Sequence, residues 1–153
     1  MGLAKHVRRC WRYFRRTRVP IRPEDVPINI QNGLKLEWYV PKPTTGLVIK
    51  VYDGDTLTIA SHYHGANYRF SVRLKGIDAP ELRASTPAER DAAWAAQKAL
   101  YKLAFGANVE LCEHGRDKYG RTLAVVIETE SRINLNEYML ENGYAKLYNG
   151  GRR

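Results

Sequence analysis

With 153 residues, 44 % of them hydrophobic, the chain is long enough for one domain with a buried core plus an appendage, and too apolar for an intrinsically disordered protein. The net charge of +9 is concentrated. Lys5, Arg8, Arg9, Arg12, Arg15, Arg16, Arg18 and Arg22 stand in an acid-free stretch and leave a nearly neutral remainder. No apolar run suits a transmembrane helix, no apolar segment of a secretory signal follows the basic start, and the two distant cysteines, Cys10 and Cys112, exclude a disulfide framework.

In chain order, the first expected element is an amphipathic helix over residues 3–16. Leu3, Val7, Cys10, Trp11 and Phe14 recur at helical spacing opposite a basic face. Pro20, Pro23 and Pro27 then interrupt regular structure, and residues 34–40 suit a short strand stopped by Pro41 and Pro43. Residues 1–45 therefore read as a basic N-terminal extension with a Pro-rich linker, and residues 46–153 as the folded domain. Alternation begins at Gly46, with Leu47, Ile49 and Val51 on one side. Asp53-Gly54-Asp55 marks a turn, Thr56–Ile59 a second strand, His62–Asn67 another turn, and Tyr68–Gly76 a third strand with Phe70, Val72 and Leu74 on one face. Ala88–Phe105 is predicted as an alanine-rich helix closed by Gly106. Val109–Cys112 and Thr122–Ile127 are predicted strands joined by a loop containing Gly115 and Gly120, and Asn134–Glu141 a second helix stopped at Asn142-Gly143. A single helix inserted after the third of five strands suits a small Greek-key barrel better than a parallel α/β sheet.

Chemistry concentrates in three segments: Asp53-Gly54-Asp55-Thr56, Arg73 to Glu81, and Asp117-Lys118-Tyr119-Gly120-Arg121. Each alone is ordinary: a hairpin turn, a solvated loop before a helix, a charged tight turn. Together they form a hydrolytic set. Asp55 and Asp78 can offer carboxylate oxygens to a hard cation, and the Ala79 carbonyl is placed to add a third oxygen. Glu81 suits a base for an attacking water. Arg73 and Arg121 suit the negative charge gathered on a phosphodiester in its transition state, because guanidinium groups present paired planar donors.

From about Gly46 to Lys146 the sequence resembles the staphylococcal-nuclease (thermonuclease-like) family. The order and spacing of the three segments, the intervening helix, and Asn136-Glu137 with Gly143-Tyr144-Ala145-Lys146 carry the resemblance. It implies a five-stranded OB-fold barrel with packed helices, of α+β or mainly β class. It implies one calcium ion, or another divalent cation, on Asp55, Asp78 and the Ala79 carbonyl, with Asp53 as a nearby supporting carboxylate. It implies Arg73 and Arg121 as phosphate and transition-state ligands, Glu81 as the base or water-orienting carboxylate, and Lys118 and Tyr119 as substrate-phosphate contacts. The implied activity is an endonuclease acting on DNA and RNA and leaving 3′-phosphate and 5′-hydroxyl ends. Three departures stand out. Ala79 replaces a threonine of the bacterial prototype, the aromatic residues after the last helix are reduced to Tyr148, and the sequence ends at Arg153, short of the family's third helix.

The main rival is a catalytically inactive barrel that binds nucleic acid or protein. The retention of two arginines, two aspartates and a glutamate at matching positions argues against it. A third class is a membrane-tethering adaptor, since residues 1–22 also suit an anionic membrane surface. No obligate protein partner is implied. The expected location is intracellular, with a mitochondrial or membrane-associated address left open by the arginine-rich start. His62 and His64 read as solvated residues near a hairpin tip, Cys112 as a small buried hydrophobe in a strand, and Trp94, Tyr101 and Tyr138 as core.

Overall fold

The computed structural model describes residues 41–149. The expected helix over 3–16, the strand over 34–40, Cys10, and most of the basic extension lie outside the described residues. Among the described residues, nine elements follow one another: β1 (Thr45–Val51), β2 (Thr56–Tyr63), β3 (Ala66–Leu74), β4 (Ile77–Asp78), α1 (Pro87–Ala104), β5 (Asn108–Arg116), β6 (Thr122–Glu128), α2 (Leu135–Glu141) and β7 (Lys146–Leu147). Five strands close into a barrel in the order β1-β2-β3-β6-β5, while β4 and β7 form a separate two-stranded sheet. All barrel pairs are antiparallel except β3 with β6, and β1 pairs with β5 to close the ring. This is the small mixed barrel with two packed helices that the alternation anticipates.

Strand parity fills the barrel from Leu57 and Ile59, Val72 and Leu74, Val109 and Leu111, and Ala124 and Val126, all buried in one cluster. In β1 the expected row of Leu47, Ile49 and Val51 is broken: an irregularity between Val48 and Lys50 puts Val48 with Val51 in the core and leaves Leu47 and Ile49 exposed. Helix α1 joins that cluster through Ala96, Leu100 and Ala104, and α2 through Leu135 and Met139. The start of α1 is fixed by a reciprocal cap. The Thr86 hydroxyl accepts from the Glu89 N–H at 3.3 Å, and the Glu89 carboxylate accepts from Thr86. Pro87 at the first helical position needs no donor, so the helix begins one residue before the expected Ala88. Asn134, expected as the first residue of α2, is its cap, and its side chain accepts from the N–H groups of Asn136 and Glu137.

Several expectations are corrected. Trp94 and Tyr101 are not core: they are 58 % and 46 % exposed. The buried face of α1 consists of alanines and Leu100, which let the helix lie close to the barrel and turn its large aromatics outward. Tyr101 stacks on Phe105 with ring centroids 4.5 Å apart. Tyr138 does pack against the core. Cys112 is exposed, because Leu111 takes the inward position in β5 and the next side chain must point away. Gly115 lies within β5 rather than in the following loop, and β2 continues to Tyr63, so the turn into β3 is only His64-Gly65.

Candidate active site

The site is assembled from the β1–β2 turn, the end of β3, β4 and the turn before β6. Asp55 lies in the short β1–β2 turn. Its Oδ1 accepts from the Arg73 guanidinium at 2.6 Å and from the Thr56 hydroxyl at 2.9 Å, and its Oδ2 accepts from the Ala79 N–H at 3.0 Å. The second arm of Arg73 donates to Asp78 at 2.7 Å. Arg73 therefore ties the β1–β2 turn to β4. Arg121 reaches the same cluster from the turn before β6, donating to the Thr56 hydroxyl at 3.3 Å. Arg121, Thr56, Asp55, Arg73 and Asp78 thus form one hydrogen-bonded chain across four segments of sequence.

Local backbone features hold each member. Asp53 accepts from the Asp55 N–H at 3.1 Å, which fixes the turn. Gly54 is required by close packing: a Cβ there would lie 2.7 Å from the side chains of both Ala79 and Ala96. Asp78 sits on β4, which pairs with β7 through Asp78↔Lys146 and Ile77↔Leu147. In the 117–121 turn, Asp117 accepts from the N–H groups of Tyr119 and Arg121 at 2.9 and 2.8 Å, and it forms an ion pair with the Arg121 side chain. Gly120 supplies the positive φ of 83° that the turn needs.

Electrostatics follow from burial. Asp55 is only 2 % exposed, and burial with the nearby Asp53 charge pushes its pKa up to about 6 despite the Ala79 N–H, Arg73 and Thr56. Burial also works against ionised Asp117, but there the hydrogen bonds from Arg121 and Tyr119 prevail and hold its carboxyl below the ordinary value.

The expected residues fall into two groups. Asp53, Asp55, Arg73, Asp78, Ala79 and Arg121 are joined by direct contacts or through Thr56. Glu81 stands three residues beyond Asp78 and is exposed, and its carbonyl accepts from the Ala84 N–H. Lys118 and Tyr119 form the exposed tip of the 117–121 turn. Tyr119 is 72 % exposed, with the Lys118 ammonium 5.0 Å and the Arg121 guanidinium 5.4 Å from its ring centre. Ala79 enters through its N–H, a contact the sequence does not suggest. The residue pattern also passes over Thr56 and Asp117 as site members, although Asp117 stands four residues before Arg121 across a Gly-containing turn, a signal that could flag it.

Among the described residues, no group of three or more His, Cys, Asp and Glu side chains is gathered as a metal cluster. The donor set nevertheless suits a cation. Asp55 and Asp78 converge on a positive group, the Arg73 guanidinium, and the burial of Asp55 makes its negative charge costly without one.

Comparison with known proteins agrees with this geometry. Residues 71–153 match the family model described as staphylococcal nuclease homologue. The chain is 39 % identical over 101 residues to an uncharacterized endonuclease of Haemophilus influenzae, covering 66 % of this chain and 51 % of that protein. It is 31 % identical over 110 residues to the micrococcal nuclease of Shigella flexneri, covering 67 % and 58 % respectively. It is 32 % identical over 111 residues to endonuclease YhcR of Bacillus subtilis, covering 67 % of this chain and 9 % of that protein. The chain thus spans little more than half the length of the first two of these relatives. The family match covers more than half the chain and contains Arg73, Asp78 and Arg121, so the protein belongs to the staphylococcal nuclease homologue family.

Proposed function

We propose that the chain is a metal-dependent endonuclease that hydrolyses phosphodiester bonds in DNA or RNA and leaves 3′-phosphate and 5′-hydroxyl ends. The observation that carries this reading is the chain Arg121–Thr56–Asp55–Arg73–Asp78, which brings two guanidinium groups and two carboxylates to one end of the barrel. Endonuclease and micrococcal nuclease names among the relatives support it. A divalent cation, calcium by family resemblance, held by Asp55, Asp78 and the Ala79 carbonyl, would supply charge neutralisation at a phosphoryl oxygen. Arg73 and Arg121 orient the phosphodiester and answer the charge that grows on its equatorial oxygens. Arg121 is prepared for this because Asp117 fixes its plane. Glu81 takes the proton of the attacking water as the new bond to phosphorus forms; the bond to the 5′ oxygen breaks, that oxygen takes a proton from solvent water, and Glu81 releases its proton to solvent. Lys118 and Tyr119, at an exposed turn tip, meet a neighbouring phosphate.

The test is digestion of plasmid DNA and of RNA by the full chain with calcium, then with excess chelator, followed by analysis of the ends. Cleavage with calcium, none with chelator, and ends that need phosphatase treatment before 3′ extension are expected. Undiminished cleavage in chelator would refute the metal-dependent mechanism.

A further inference from the structure

Away from the cleavage site, we propose that the outer face of α1 docks a second copy of this chain, with the two α1 helices packed antiparallel about a two-fold axis. The barrel takes only one side of α1, where Ala93, Ala96, Leu100 and Ala104 are buried. Away from that side, Trp94, Lys98, Tyr101 and Phe105 follow at i, i+4, i+7 and i+11, which is one stripe of a helix, and all four are exposed. Tyr101 and Phe105 already stack on each other. The Gln97 amide donates to the Tyr52 carbonyl at 3.0 Å, which sets the exposed Tyr52 beside the stripe. Asp91 and Lys102 are exposed on the same outward side. Neither they nor Lys98 form an ion pair among the described residues.

Charge and shape both select a second copy, and they select the same register. The face is acidic toward its N-terminal end, at Asp91, and basic toward its C-terminal end, at Lys98 and Lys102, so an antiparallel pairing sets unlike ends together. A two-fold axis level with the Ala96–Gln97 peptide brings Asp91 level with Lys102 of the second copy and makes that pair twice. The same register sets Trp94, Lys98, Tyr101 and Phe105 level with Ala99, Ala95, Ala92 and Ala88 of the second copy, so each bulky side chain meets a small one. Trp94 then lies about 3 Å along the axis from Tyr101 of the second copy, close enough for their rings to pack. A shift of one residue either way sets Trp94 against Leu100 or Lys98 and breaks the Asp91–Lys102 match. Asp91, in the middle of the face, works against an anionic membrane or an acidic peptide, which the two lysines alone would attract. The three half-exposed aromatic side chains supply about 300 Å² per copy. That is below the roughly 800 Å² per partner of a stable complex, so the pairing is weak and concentration-dependent.

The test is sedimentation velocity of the full chain, freed of nucleic acid, from about 1 to 500 μM at low salt. A monomer–dimer equilibrium with its midpoint at roughly 10–100 μM is expected. Trp94→Ala should weaken it roughly tenfold or more. Asp91→Lys and Lys102→Asp should each weaken it as well, because each sets like charges level with one another. The double variant Asp91→Lys/Lys102→Asp restores unlike charges in the same register and should return the dimer to within about threefold of wild type. All these positions are exposed, and circular dichroism checks that each variant is folded. The charge exchange tests the pairing even where Trp94→Ala does not fold. A monomer at every concentration, a dimer blind to these substitutions, or single charge reversals that the double variant does not rescue would each overturn the pairing. Cleavage plays no part in the readout, so the dimer stands or falls apart from the nuclease reading.

Discussion

Asp55 shows the conflict between stability and chemistry most clearly. Its folded pKa, about 6, lies above the ordinary 3.8. A raised carboxyl pKa means that this group contributes stability below about pH 4, and the contribution is lost as pH rises through 6. The penalty is on the order of 3 kcal/mol by pH 7. Asp55→Asn, which cannot ionise, should therefore gain stability relative to the wild type as pH rises from 4 to 7. The lost acceptor for the Ala79 N–H offsets part of that gain. Urea unfolding at several pH values measures it, and a difference that does not vary with pH would contradict the burial argument. At Arg73, the guanidinium bridges two carboxylates with two nitrogens, a geometry that lysine cannot reproduce. Arg73→Lys and Arg121→Lys should each lower kcat by roughly 100-fold or more. Near-normal rates with lysine would mean that charge alone suffices. Glu81→Gln should lower kcat by roughly 10²–10⁴-fold with little change in KM. An unchanged rate would assign Glu81 to the structure of the segment before α1.

Among the elements, α2 is fastened by the buried polar side chain of Asn136 as well as by Leu135 and Met139. Asn136 accepts from the Val126 N–H at 3.0 Å and donates to the Lys75 and Ala124 carbonyls at 2.8 and 3.2 Å. It thereby joins α2 to β6 and to the exit of β3. Asn136→Ala would leave these buried groups without partners and should cost about 2–4 kcal/mol in urea unfolding. A loss below about 0.5 kcal/mol would mean that water replaces the amide. The elements also show what a sequence can disclose. The strand alternation around Leu57, Ile59, Val72 and Leu74 and the alanine-rich α1 are legible because period and composition act locally. The β4–β7 pair is not, since two residues have no period and Asp78 meets Lys146 only through the tertiary fold. The outward turn of Trp94 is hidden because an alanine-rich helix does not reveal which face lies against the barrel. Cys112 is misread by parity: one residue along a strand reverses the face. At the site, residue types and spacing point to Asp55, Arg73, Asp78 and Arg121. The roles of Thr56 and the Ala79 N–H depend on side chains meeting across segments far apart in sequence.

Taken whole, the barrel gives the site rigidity by drawing its parts from separate strands. The β1–β2 turn delivers Asp55, β3 delivers Arg73, β4 delivers Asp78, and the turn before β6 delivers Arg121. Gly54 lets the first of these turns lie against α1 and the Ala79 segment. On the proposed function, phosphodiester bonds are cut at this cluster. The cleavage rate of Asp55→Asn at pH 7 is the sharpest test, read on protein that urea unfolding shows to be folded under the assay conditions, because the change removes the carboxylate and keeps the side chain's size. A rate at least about 100-fold below wild type is expected from the folded variant. A wild-type rate would contradict it and move the chemistry elsewhere on the molecule.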